Sequence, residues 1–293
     1  MIHRLLPILL IIACTAGAEE SPRTTMKKGL RAYQTGNYTN AVEALKKTVL
    51  TYPDLGHFNL AAAHFKQNEF KEASTHFQEA LRSTDLTLQA DAYYNRGNAL
   101  LAQTTQLAGP EEINTAIQLA FEAMEQFEFS LRLEPDALDA KQNYEHAAQL
   151  RLSLEFKQGK WFFDNAETCL QENQAKQAQA NYQKAQQQFE KILTEIDPTH
   201  LESTRLLPRT KERLAMLAQA VADAQADLTQ SLRLIQDYQY LLAANLLVRE
   251  SPERNYAFDI QPELKTQYEQ TMQKNQQIIA IVNDLLKEVN TAK

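Results

Sequence analysis

The chain has 293 residues, 44% hydrophobic and 23% charged, enough for one or two globular domains with ordinary cores. Lys plus Arg number 30 against 37 for Asp plus Glu, a net charge of -7 without a long basic run, which excludes the electrostatic footprint of a nucleic-acid-binding protein. Only 7 glycines and 9 prolines occur while Ala, Leu, Gln and Glu dominate, so the residue choice predicts an all-α fold with almost no sheet.

The first residues have the layout of a secretory signal. Arg4 precedes an apolar run from Leu5 to Ala13, followed by Ala16, Gly17 and Ala18 and then by Glu19 and Glu20. The run is too short to span a bilayer as a stable helix. Two processing routes fit it. Ala16-Gly17-Ala18 is an A-x-A cleavage site, which makes residues 1–18 a signal peptide, and Ile11-Ile12-Ala13-Cys14 resembles a bacterial lipoprotein box, in which the signal ends before a lipidated Cys14. On the second route Cys14 is the membrane anchor, and Thr15 after it, in place of Asp, sorts the protein to the outer membrane. Either route predicts an exported protein, periplasmic or lipid-anchored. Cys169 is then the one unmodified thiol, and an apolar filler in a helix is the expected role for it.

From residue 29 to 135 one spacing recurs three times. Gly29, Ala41, Leu45 and Pro53 form the first copy, Ala61, Ala73, Phe77 and Asp85 the second, and Gly97, Ala123, Phe127 and Pro135 the third. In the first two copies the small residue lies 12 positions before the alanine. In all three, a large apolar residue follows the alanine by four positions and a turn residue by 12. Such a beat predicts stacked helical hairpins. The first spans about 25–50 and breaks at Gly36-Asn37, and the second breaks at Asn68-Glu69. In the third copy Gly97 and Ala123 are 26 apart, so 14 extra residues intervene. Gly109-Pro110, with Glu111 and Glu112 after it, predicts a longer loop and a second helix extended at its start.

A helix from Asp139 to Phe156 follows and is expected to cap the stack. The character changes around Gly159-Lys160, where a new helical pair is expected from Trp161 to Ile196, with Tyr182, Ala185, Phe189 and Leu193 as its stripe before Asp197-Pro198. A long helix is predicted over 208–248 from Leu214, Leu217, Val221, Leu228, Leu232 and Ile235, and a last one over 262–289. These two suit an antiparallel hairpin packed on the rest, or a coiled-coil contact with a partner. The expected divisions are a solenoid of three repeats plus a capping helix over 25–158, a degenerate pair over 159–202 and a long-helix region over 203–293.

This pattern of small residue, alanine, aromatic and proline resembles the tetratricopeptide repeat family. The resemblance implies a solenoid whose first helices line a concave groove for a peptide or partner protein. Aligned by the landmarks, Asn59, Asn95 and Asn143 take one position on that face, and each amide offers a donor and an acceptor to an extended backbone. Phe58, Phe65, Tyr94 and Asn98 are their expected neighbours, with Met26, Leu30 and Tyr33 upstream. Lys27 is the nearest candidate for gripping a terminal carboxylate, and the corresponding positions of the other units are mainly apolar, amide or acidic. The segments YYNRGNALL (93–101) and DALDAKQNYEHA (136–147), with the export signal, resemble the exported repeat proteins of Bat (aerotolerance) operons. That resemblance implies membrane-bound von Willebrand A-domain proteins as partners, linked to a MoxR-type ATPase.

No motif of catalysis is found: no glycine-rich phosphate loop, H-E-x-x-H, G-x-S-x-G or Cys-x-x-Cys. His57 and His64 are seven apart and share a helix face, but packing is the expected role because a closed zinc site wants four ligands. The sequence therefore reads as a non-enzymatic scaffold without cofactor or metal. The alternative is an envelope assembly protein working through its C-terminal long helices.

Overall fold

The computed structural model describes residues 20–107 and 109–291. The expected export signal and Cys14 lie outside the described residues. Among the described residues, twelve α-helices follow one another: α1 Pro22–Gln34, α2 Tyr38–Lys46, α3 Pro53–Lys66, α4 Phe70–Ala80, α5 Leu86–Thr104, α6 Ile113–Leu133, α7 Leu138–Gln171, α8 Ala175–Lys191, α9 Leu201–Gln236, α10 Tyr240–Val248, α11 Pro252–Ile260 and α12 Pro262–Thr291. The fold is all-α, with no strand among the described residues. Two compact units divide the chain at Gln149 and Leu150, inside α7.

Local chemistry sets the helix ends. Ser21 caps α1, with Pro22 in the first turn. Asn37 Oδ1 accepts from Asn40 N–H at 3.2 Å at the start of α2. Asp85 accepts from Thr87 N–H at 3.0 Å at the start of α5. Four hairpins turn in the same way: Gly36, Asn68, Asn173 and Tyr238 have φ of 77, 62, 59 and 60°, each two residues before the next helix. The residue after each donates its N–H five positions back, Asn37 to Ala32, Glu69 to His64, Gln174 to Cys169 and Gln239 to Leu234, at 2.8–3.1 Å. This is a Schellman closure, which satisfies carbonyls that a helix end leaves without partners.

The expected break at Gly36-Asn37 and at Asn68-Glu69 is where the chain turns. In the third hairpin, two of the 14 extra residues lengthen the end of α5, five lengthen the connection, which contains a short 3-10 turn over Pro110–Glu112, and seven lengthen the start of α6.

The spacing itself reaches further than the three copies. Every hairpin places a buried small residue 12 positions before a second buried one, with a buried residue four positions later: Gly29, Ala41, Leu45; Ala61, Ala73, Phe77; Thr104, Ala116, Ala120; Ala166, Ala178, Tyr182; and Ser231, Ala243, Leu247. The third and fourth hairpins carry an additional level, Gly97 with Ala123 and Phe127, and Gly159 with Ala185 and Phe189, all buried.

Three expectations are corrected. The chain does not break at Gly159, because α7 runs through it for 34 residues. Gly159 serves packing instead: a Cβ there would lie 2.8 Å from Phe189 Cε1, so the missing side chain admits the ring. The helix expected over 208–248 begins earlier, at Leu201, where His200 Nδ1 accepts from Ser203 N–H at 3.2 Å. It also stops at Gln236, because Tyr238 takes the left-handed conformation and α10 folds back against α9. The C-terminal region is accordingly no hairpin of two long helices: α12 closes mainly on the short α10 and α11.

In the second unit, Phe163, Ala166, Cys169, Tyr182, Ala185, Phe189, Leu206 and Leu217 form one core, in which Cys169 is 4% exposed and acts as apolar filler. Ala224, Leu228, Leu247, Ala257, Leu264 and Tyr268 form a second, near the C-terminus.

Candidate peptide-binding face and comparisons

In the first unit, helices α1, α3, α5 and the start of α7 carry the expected binding residues. Asn59, Asn95, Asn98, Asn143, Phe58, Phe65 and Tyr94 are all half-buried, neither sealed in the core nor fully in solvent. The helical period explains why. Leu60 and Ala61 point into the hairpin and are buried, so Phe58 and Asn59 fall at the margin of that stripe.

Asn143 Nδ2 donates to Asn98 Oδ1 at 2.7 Å and to Tyr94 Oη at 3.3 Å. Three expected residues are thus joined in one polar rung from α5 to α7. Tyr94 is held from behind by Phe127, with ring centres 6.0 Å apart. Asn59 Nδ2 reaches Met26 Sδ at 3.7 Å, a weak link from α3 to α1. Phe58 packs edge-on against Phe77 at 5.5 Å and Phe65 lies 5.3 Å from Phe70, so both rings are anchored by the second hairpin. Asn95 behaves differently, donating to the Asp91 carbonyl of its own helix at 2.8 Å. The neighbour of Asn143 is therefore Asn98, not Asn95. Lys27 is exposed at the edge of α1.

The electrostatics of this region are mild. Burial, reinforced by Asp85, raises the Asp91 carboxyl above its ordinary value, and burial lowers the Arg96 guanidinium. Arg96 Nη2 donates to Gln78 Oε1 at 3.3 Å. A cleft of about 830 Å³ lies elsewhere, along α10, α11 and α12, lined by Arg249, Arg254, Phe258, Tyr268 and Met272 among others.

A histidine stack on α3 and α4 was only partly legible. His57 and His64 do share a face, but the residue that gathers them is His76. His57 Nδ1 and His76 Nδ1 are 3.0 Å apart, and the His64 ring stacks on His76 at 5.4 Å. His64 Nδ1 also meets Glu69 Oε2 at 2.5 Å. The signal available was the interval of 12 from His64 to His76, the same as that from Ala61 to Ala73. Among the described residues no group of three or more His, Cys, Asp or Glu side chains is placed to hold a metal ion.

Burial, then the charges of His57 and His64, lower the His76 pKa to about 4, against the pull of Glu79 and Glu72. Because the folded pKa lies below the unfolded value, the unfolded chain takes up the proton first as pH falls. Stability is thus present above about pH 6.5 and is lost progressively down to about pH 4. Screening of the half-exposed ring reduces the loss to about 1–2 kcal/mol. Urea unfolding of wild type and His76→Gln at pH 7 and pH 4.5 checks this: the variant loses less stability between the two. Equal losses remove His76 as the cause.

A tetratricopeptide repeat profile matches residues 26–85 and 58–118. The two matches begin 32 residues apart, which is also the interval from Ala41 to Ala73. Among solved structures, a TPR repeats protein from Bacteroides fragilis aligns over 66% of this chain and 98% of its own, with 16% identity and a TM-score of 0.35. No curated protein matches the chain. With the buried small-residue spacing and the hairpin turns already described, the profile match identifies residues 26–118 as repeats of the tetratricopeptide type.

Proposed function

We propose that this protein is a non-enzymatic scaffold that holds an extended segment of a partner protein against the first-helix face of its first unit. Repeats of this type present surfaces for protein or peptide partners. The observation that carries the reading is the rung formed by Tyr94, Asn98 and Asn143, half-buried and polar at the margin of an apolar stripe. Asn143 Oδ1 and Asn98 Nδ2, which the rung does not use, supply an acceptor and a donor for a ligand's backbone groups, while Phe58 and Phe65 on α3 offer apolar contact. Affinity then comes from the peptide backbone and selectivity from the rings.

The export signal, with its A-x-A site and its alternative Cys14, supports action in the bacterial envelope, either free in the periplasm or lipid-anchored to the outer membrane. The segments 93–101 and 136–147 support a Bat-type complex with von Willebrand A-domain membrane proteins as partners. The test is recovery of a von Willebrand A-domain protein with the tagged full chain from native membranes. Replacing Asn59, Asn98 and Asn143 with alanine is expected to lower recovery about tenfold, equivalent to ~1.4 kcal/mol, with helix content unchanged. Unchanged recovery in the folded variant returns these asparagines to packing. Intact-mass measurement of the membrane fraction decides Cys14, since an N-terminus at Glu19 excludes lipidation.

A further inference from the structure

The second unit ends in an uncovered apolar surface. Helix α10, with the sequence YLLAANLLV, has no charged residue. Its Ala243 and Leu247 are buried, but Leu241 and Leu242 are 71 and 54% exposed. Past the buried Asn275, α12 also turns apolar residues outward: Ile281, Leu285 and Leu286 are 60, 56 and 54% exposed. Between the two helices runs a groove of about 430 Å³, lined by Tyr238, Leu241, Leu242, Ile279, Val282 and Leu286.

We propose that this face binds a second copy of the chain about a two-fold axis. Three observations carry the choice of occupant. The first is area. The exposed parts of Tyr238, Leu241, Leu242, Val282, Leu285 and Leu286 amount to roughly 600 Å², most of it apolar, approaching the ~800 Å² that each partner gives to a stable interface. The second is charge. A two-fold axis brings like surfaces together, so a face of one sign would repel itself. Here α10 is uncharged, and on α12 the Asp284 carboxylate is paired within its own helix by Lys287 at 3.1 Å.

The third is the opposite end of the chain. A head-to-tail contact would need a different apolar surface to receive this face, and the cleft of the first unit along α1 and α2 is one place to look for it. The cleft there is lined by Lys28, Arg31, Asn37, Asn40, Glu43 and Lys47, which suits water better than leucine. The face therefore matches its own copy, with the leucines of one protomer entering the groove of the other. The proposal is independent of the first-helix reading, because it concerns a different unit and an apolar rather than a polar surface.

Sedimentation of the purified full chain from about 1 to 100 µM tests it. A dimer with a dissociation constant in the micromolar range or tighter is expected. Leu241→Asp with Leu285→Asp is expected to weaken association about 100-fold while leaving the thermal melting curve in place, since both side chains are more than half exposed. A Leu285→Cys chain treated with a bifunctional maleimide reads the same interface without adding charge, and a cross-linked dimer is expected. A wild-type chain that stays monomeric to 100 µM overturns the proposal, as does a dimer that survives the double substitution. So does a monomer that binds phosphatidylethanolamine–phosphatidylglycerol vesicles through these leucines, which assigns the face to a lipid surface.

Discussion

Phe189→Ala lowers the stability of the second unit by about 3–5 kcal/mol, measured by urea unfolding. The ring is fully buried, with Phe156 at 6.1 Å between ring centres, and it occupies the space that Gly159 leaves open on α7. A ring removed opposite a glycine leaves a void that neither helix can fill from its own side. The converse substitution tests the same contact. Gly159→Ala gains up to ~1 kcal/mol of helix propensity, yet places a methyl 2.8 Å from Phe189 Cε1 and 3.1 Å from Gln188 Cγ, so it destabilises. In the Phe189→Ala background that methyl enters vacated space and becomes favourable. The double variant is therefore more stable than Phe189→Ala alone, and the four proteins form a cycle with strong coupling. Simple additivity would mean that the glycine is not there for the ring.

The second large effect is at Arg254, where methionine in place of arginine costs about 3 kcal/mol. The side chain is 8% exposed and closes the end of α10. Its Nη1 donates to the Leu246 carbonyl at 3.0 Å and to the Arg249 carbonyl, Nη2 donates to Asp227 Oδ2 at 2.5 Å, and the guanidinium lies 5.0 Å from the Tyr268 ring centre. Methionine keeps the apolar stem but leaves a partly buried carboxylate and helix-end carbonyls without their donor. Asp227 is 26% exposed on its side chain, which holds the cost at the lower end of the range for a broken buried pair. Asp227→Asn, which keeps a polar group opposite Arg254, costs less. Hydrogen exchange locates the effect: amides of α10 and α11 exchange faster in Arg254→Met while those of α2 to α4 are unchanged. Uniform acceleration along the chain would refute a local closure.

Where a local rule and a side-chain type agree, the fold was legible. Gly36 and Asn68 turn the first two hairpins because glycine and asparagine enter the left-handed region at little cost, and the sequence marks both positions. Tyr238 makes the same turn with no such mark, because a tyrosine is held there by the Schellman bonds and the packing of α10 on α9. That hairpin was hidden inside an apparent long helix. Gly159 misled in the opposite sense, since a glycine that ends helices elsewhere here admits an aromatic ring in mid-helix. At the candidate face, Tyr94 and Asn98 were legible as neighbours of the asparagine column, and the departure of Asn95 from it was not. Asn95 and Asn98 are three apart on α5, and only the approach of α7 decides which of them meets Asn143.

The two-level hairpins set a rule for length. From Ala116 to Ala123 and from Ala178 to Ala185 the interval is seven residues, which leaves a helix only ~20° short of two complete turns. Seven residues added at the start of α6 therefore return the chain to the face it left, and the partner helix can grow alongside without repacking what lies beyond. An addition of five or nine would swing the stripe about 140–180° and bury the polar side. Hairpins of this protein thus change reach in steps of two turns, about 10 Å each, while the spacing between neighbouring helices stays fixed. Length is the dimension along which such a stack is free to vary.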